Sequence, residues 1–168
     1  VVALATGSDG AMLAEQAARL GGPITALGAS AEDLAGLAAR DDVDLVVIAT
    51  GGIVSLRSVL AALGAGKVVA TANKETLVAG GHLVMPEARR LAGATALTAP
   101  TDPFASPLAW LRPIDSEHSA IWQCLVGESP STISALILTA SGGPFLDAGA
   151  DEIAAVTPEQ ALSHPTWT

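Results

Sequence analysis

Apolar and polar positions alternate along this chain in blocks rather than residue by residue. The run "VVALATG" at the start is apolar up to Gly7. A run with no polar alternation suits a parallel strand covered on both faces. "GAMLAEQAARLGG" follows, with Met12, Leu13, Ala17 and Leu20 at helical spacing, Ser8 or Asp9 as cap, and Gly21-Gly22 as stop. "ITALG" predicts a second strand, and "SAEDLAGLAAR" a second helix capped by Ser30. "VDLVVIATGG" predicts the clearest strand, since Leu45 to Ala49 are all apolar. "IVSLRSVLAALGAG" predicts a helix closed by Gly64 and Gly66, "KVVATAN" another strand, and "KETLVAGGHLVMPEARRLAG" more helix.

Strand and helix alternate at about 25 to 30 residues, the rhythm of βαβ units. The fold class is therefore α/β: part of a Rossmann-like, doubly wound parallel sheet. Ligands in such sheets bind beyond the carboxyl ends of the strands. Those ends read "ATG", "ATGG" and "ATANKE" here, and their glycines serve a tight turn as well as a close ligand.

The pattern breaks near Leu97. Prolines at 100, 103, 107 and 113 remove backbone donors and disfavour helix before them. The domain reading is 1–98 as an α/β domain, 99–113 as a proline-rich linker, and 114–168 as the start of a second, α+β domain. In that last part "SEHSAIWQCLVG" predicts a helix and "ISALILTASGG" a strand running into a glycine turn. "DEIAAVTPEQALSHPTW" predicts two short helices, the second with Thr157 as cap and Pro158 at its first position.

Composition narrows the partners. Of the 168 residues, 50% are hydrophobic and the formal net charge is −9, so the protein is folded and acidic overall. Such a surface repels a phosphate backbone, which argues against nucleic acid. No apolar run reaches the roughly 18 residues of a membrane span, and the start lacks a signal-peptide layout. A cytoplasmic location is the default reading. The lone Cys124 lies in an apolar run and reads as a small buried hydrophobe. The abrupt ends, "VVALA" and "HPTWT", predict an excerpt of a longer protein.

The polar groups gather in "IDSEHSAIWQ". On extended backbone Asp115 and Glu117 point the same way and can share a hard cation such as Mg2+ or Mn2+. Equally, Asp115 or Ser116 can cap a helix with Glu117 in its first turn. Two carboxylates do not fill an octahedral site, so further oxygens are required. "ANKE" puts Asn73 and Lys74 after a strand, where they can meet a nucleotide and an anionic substrate or simply make a turn. The "TASGGPF" turn can cradle a phosphate, with Ser141 as an added donor, or be an ordinary turn. His164 and Trp167 in "SHPTW" can cover a substrate.

In their order along the chain, "TANKETLVAGG", "PIDSEHSAIWQCLVGE", "LTASGGPF" and "VTPEQALSHPTW" resemble the 1-deoxy-D-xylulose 5-phosphate reductoisomerase family. "ANKE" by itself also resembles homoserine dehydrogenase, which leaves "DSEHSAI" and "SGGPF" unaccounted for. The resemblance implies conversion of 1-deoxy-D-xylulose 5-phosphate, a small phosphorylated sugar, to 2-C-methyl-D-erythritol 4-phosphate. It implies NADPH, a Mg2+, Mn2+ or Co2+ ion, and a homodimer. It implies Asp115 and Glu117 as metal ligands and Ser116, Glu117 and Lys74 as substrate contacts. Ser141 would bind the substrate phosphate, His164 would contact substrate, and Trp167 would lie in a closing loop. Lys74, Glu117 and His164 would carry the chemistry, while Gly7, Asn73 and Glu75 would face the cofactor. The family's glycine-rich phosphate loop has no counterpart here. The resemblance further implies that one metal ligand and part of the phosphate site lie outside these residues, so the bare chain is expected to be inactive. Gly7 is followed by Ser8 and Asp9 where the family usually carries a basic residue, which leaves NADPH and NADH both open. A non-catalytic nucleotide-fold remnant acting as an interaction module is the alternative reading.

Overall fold

A computed structural model describes residues 1–98, 106–139 and 143–163. The chain divides into two compact units, Val1–Val126 and Gly127–Thr168.

The first unit is built from parallel strands and crossover helices. Its elements are β1 (Ala3–Thr6), α1 (Gly10–Arg19), β2 (Ile24–Leu27), α2 (Ala31–Ala38), β3 (Leu45–Ile48) and α3 (Leu56–Gly64). They continue with β4 (Val68–Thr71), α4 (Lys74–Thr98), α5 (Pro107–Trp110), β5 (Leu111–Pro113) and α6 (Ser116–Leu125). The helix starts follow from local chemistry. The Asp9 carboxylate accepts the Met12 N–H at 2.9 Å. Ser30 and Asp33 cap each other reciprocally at the start of α2. α3 is closed by Gly66, whose φ of +70° suits a residue without a Cβ.

β1 and β2 pair in parallel, and β3, β4 and β5 form a second parallel ladder in that order. Val69 lies opposite both Val46 and Leu111, and Thr71 opposite both Ile48 and Pro113. Leu111–Pro113, read from the sequence as the end of a linker, is thus a sheet strand. Proline is tolerated there as the strand's last residue on the sheet edge. α6 also lies in the first compact unit, which ends at Val126.

The core lies where α3 and α4 cover the second ladder. Val59, Ala62, Leu63, Val69, Val84 and Ala88 are all within 1% of complete burial. α4 presents Thr76, Gly80, Val84, Ala88 and Ala92 as its buried row, a strict i, i+4 stripe of mostly small residues. A Cβ built on Gly80 would meet Leu56 Cδ1 at 2.5 Å. Gly80→Val is therefore expected to destabilise the protein by about 2 kcal/mol, read by urea denaturation; a loss below about 0.5 kcal/mol would show that Leu56 simply turns aside.

Burial corrects one expectation. β4 is covered on both faces, but Leu45 and Val47 of β3 and Ile24 and Leu27 of β2 are exposed. An unbroken apolar run reports that a strand tolerates burial on both faces. The packing supplied by these residues covers only one face of β3.

In the second unit, Pro130–Thr132 makes one 3-10 turn, and α7 (Ala150–Ala154) and α8 (Pro158–Leu162) are the two expected short helices. Thr157 caps α8 through the Gln160 N–H. The predicted strand over "ISALILT" does not form: Ile133–Thr139 has no ladder partner among the described residues, and Leu136, Ile137 and Leu138 are exposed. A strand exists only by pairing, and pairing is not encoded in the segment itself. Ala140, Ser141 and Gly142 lie outside the described residues, as do His164 and Trp167.

A lysine and carboxylate cluster at the strand ends

β4 and β5 run in parallel and end together. The Ala72 N–H donates to the Ile48 carbonyl at 2.8 Å, and the Ile114 N–H donates to the Thr71 carbonyl at 3.0 Å. Both connections then turn immediately into helices, so the N-termini of α4 and α6 open side by side. Helix N-termini carry partial positive charge and favour carboxylates. Three side chains meet there. Lys74 Nζ lies 2.6 Å from Glu117 Oε2, across 43 residues of sequence, and 3.9 Å from Asp115 Oδ2.

Asp115 has two structural tasks, as the sequence allowed. Its Oδ2 accepts the His118 N–H at 3.0 Å, capping α6, and lies 2.6 Å from His118 Nδ1. The ring contact gives His118 a place in the cluster that the sequence reading left unassigned. Its only signal was the i, i+3 spacing from a capping aspartate. Burial works against the Asp115 charge, but the His118 backbone and ring and the Lys74 ammonium together hold its carboxyl below the usual value. Glu117 is pushed down to about 2, first by its hydrogen bond to Lys74 and then by its own backbone and Ser116. Its charge is lost only as pH falls through that value, so both carboxylates are ionised at neutral pH. Lys74 is raised, chiefly by the Glu117 hydrogen bond.

Ser116 is exposed at the mouth of the cluster, and Glu75 is exposed on the first turn of α4. Gly7 lies apart, at the end of β1, where a Cβ on Gly28 would come within 3.5 Å of its carbonyl oxygen. Asn73 is 2% exposed. Its amide donates to the carbonyls of Thr50 and Gly52, and its Oδ1 accepts the Thr76 N–H at 2.7 Å. Its side chain ties the loop after β3 to the start of α4, and the Asn73 N–H donates in turn to Thr71 Oγ1 at 3.0 Å. Thr71 and the carbonyls of Thr50 and Gly52 are positioning groups with no sequence signature of their own.

An apolar groove of about 430 Å³ leads away from Lys74, Asp115 and His118 between Leu77, Met85 and Trp122. Cys124 is exposed rather than buried, because α6 has no fully buried residue. Among the described residues no three acidic, histidine or cysteine side chains group as a complete metal site. The donor set nevertheless suits a hard cation in part: two ionised carboxylates already converge on one ammonium. No helix among the described residues is long and apolar enough to cross a membrane.

A parallel α/β sheet with a carboxylate pair facing a lysine beyond its strand ends defines the class as a Rossmann-like α/β protein with an acidic site at its strand ends. Comparison with known proteins makes this particular. The family model described as 1-deoxy-D-xylulose 5-phosphate reductoisomerase matches residues 1–81, and the model of that enzyme's C-terminal domain matches residues 111–168. The chain belongs to the 1-deoxy-D-xylulose 5-phosphate reductoisomerase family. The reductoisomerase of Leifsonia xyli subsp. xyli is 43% identical over 99% of this chain and 41% of its own length. That of Exiguobacterium sibiricum is 45% identical over 82% of this chain and 32% of its own. A crystal structure of DOX-P reductoisomerase with NADPH, fosmidomycin and magnesium is similar at 34% identity and a TM-score of 0.56, covering 99% of this chain and 40% of that one. The Zymomonas mobilis enzyme in complex with NADPH gives 31% and 0.60, covering 96% of this chain and 43% of that one. The chain thus spans between about a third and two fifths of the length of these relatives.

Proposed function

We propose that this chain is the central part of a 1-deoxy-D-xylulose 5-phosphate reductoisomerase, which forms 2-C-methyl-D-erythritol 4-phosphate. The observation that carries the reading is the convergence of Asp115 and Glu117 on Lys74 at the ends of β4 and β5. In this reading Asp115 and Glu117 hold a Mg2+ or Mn2+ ion. Ser116 offers its hydroxyl to the substrate beside them, and Lys74 binds a substrate oxygen. A bound divalent ion supplies Lewis-acid polarisation of the substrate's carbonyl and hydroxyl, and NADPH supplies the hydride. Asn73 acts on the cofactor through the Thr50–Gly52 loop that it anchors, and Gly7 and Glu75 are further cofactor contacts in this reading. Ser141 belongs to the phosphate site, His164 to the substrate site and Trp167 to its cover. The parent protein works as a cytoplasmic homodimer.

The test is turnover of 1-deoxy-D-xylulose 5-phosphate by the full-length parent protein, followed as NADPH consumption with Mg2+ or Mn2+. Absence of turnover with either ion would remove the assignment of activity. The bare 168 residues are expected to be inactive, since two carboxylates do not complete the ion's ligand set.

Asp9 carries a further expectation. Its exposed carboxylate follows β1, and in this reading it faces the region that would take the extra phosphate of NADPH. One of its oxygens caps α1. Asp9→Asn keeps a capping acceptor and removes the charge. In the full-length protein it is expected to raise kcat/KM with NADPH relative to NADH by roughly two- to fivefold, the size of one exposed charge interaction. An unchanged ratio would place Asp9 away from the cofactor.

A further inference from the structure

The geometry points to Lys74 as a stand-in cation that occupies the divalent-ion position in the metal-free protein and is released toward substrate when the ion binds. The inference rests on the proposed reading that Asp115 and Glu117 hold the ion, and goes beyond it in giving the lysine two successive positions.

Three observations carry it. Lys74 Nζ touches Glu117 Oε2 at 2.6 Å and stands 3.9 Å from Asp115 Oδ2, so a single ammonium serves both carboxylates. A divalent ion held by the same oxygens requires bonds of about 2.0 to 2.2 Å, which places it against the present Nζ position. Two cations do not share that space, because like charges this close repel strongly. Asp115 is also fixed more firmly than the lysine. Asp115 is tied to the His118 N–H and ring, and its side chain is 9% exposed against 46% for Lys74. When a metal arrives, the lysine is therefore the group that moves. Lysine suits this task, being a compact charge on a flexible four-carbon stem.

Two consequences follow. Without metal, Lys74 at the start of α4 offsets the charge of the two carboxylates at the start of α6. With metal, the freed ammonium becomes a donor for an oxygen of a phosphorylated, oxygen-rich substrate. Metal loading then precedes productive substrate binding. Lys74 lowers the affinity for free metal ion as the cost of readiness for substrate.

Mn2+ alone tests this, with dissociation constants read from the EPR signal of the free ion, on the full-length protein without substrate or cofactor. Lys74→Met keeps the length of the stem and removes the charge. It is expected to tighten Mn2+ binding roughly fivefold or more, the size of two partly exposed ion pairs. Lys74→Gln provides a second neutral replacement, and thermal melting checks that both variants fold. Lys67→Met removes the same charge at the other end of β4 and is expected to change affinity less than twofold. If the neutral Lys74 variants bind Mn2+ no more tightly than wild type, or no more tightly than Lys67→Met, the stand-in role is overturned while the metal site stands. If Asp115→Asn and Glu117→Gln leave Mn2+ affinity unchanged, the site reading itself fails, and the inference with it.

Discussion

Asp115→Asn is expected to lower kcat/KM of the full-length protein by two to three orders of magnitude while costing less than about 1 kcal/mol of stability. The two effects separate because Asp115 has two tasks. One oxygen caps α6 through the His118 N–H, and an asparagine carbonyl accepts the same hydrogen bond equally well. The negative charge facing Lys74 has no such substitute. A metal-ion contribution of several kcal/mol to charge stabilisation corresponds to that loss of rate. Asp115→Ala removes the cap as well, and is expected to add about 1 kcal/mol of destabilisation. Steady-state kinetics and thermal melting of both variants check the pair of outcomes. More than a tenth of wild-type activity in Asp115→Asn would reduce the residue to a helix cap.

Asn73→Ala is expected to destabilise the protein by about 3 kcal/mol or more. Asn73 is buried, and it satisfies the Thr50 and Gly52 carbonyls and the Thr76 N–H at once. Alanine strands all three partners, and a buried polar group without a partner costs roughly 1 to 3 kcal/mol. Asn73→Asp is expected to be at least as harmful, because its second oxygen would face two carbonyl oxygens. Urea denaturation gives the measure, and a loss under about 1 kcal/mol for alanine would mean that water replaces the amide. The same geometry limits what Asn73 does for a cofactor. Its side-chain donors and acceptor are committed inside the protein, so its influence passes through the loop it holds.

The helices and strands that the sequence made legible are those with local causes. Asp9, Ser30, Asp115 and Thr157 cap helices because an oxygen-bearing side chain reaches the N–H groups of its own first turn. The β1, β3 and β4 runs declare themselves by apolar continuity. Even the doubled reading of Asp115, as cap and as cation-facing carboxylate, was open on spacing alone. "ISALILT" shows where the same reasoning stops: β-branched and apolar residues mark a candidate strand, but a ladder partner decides whether one forms. Cys124 is the corresponding case for burial, since an apolar neighbourhood in sequence did not become one in space.

By itself, then, the sequence determined the order of strands and helices from β1 to α4, the helix caps, the carboxylate pair and, through four ordered motifs, the family. Only the tertiary structure decided that Leu111–Pro113 joins the sheet beside β4, and that Lys74 and Glu117 meet across 43 residues. It alone showed that one face of β3 is uncovered and that the Asn73 amide is committed within the fold. Caps and periodicity are set within a few residues of the chain. Strand pairing and ion pairs depend on which distant segments arrive at the same place, and that is fixed only when the sheet closes.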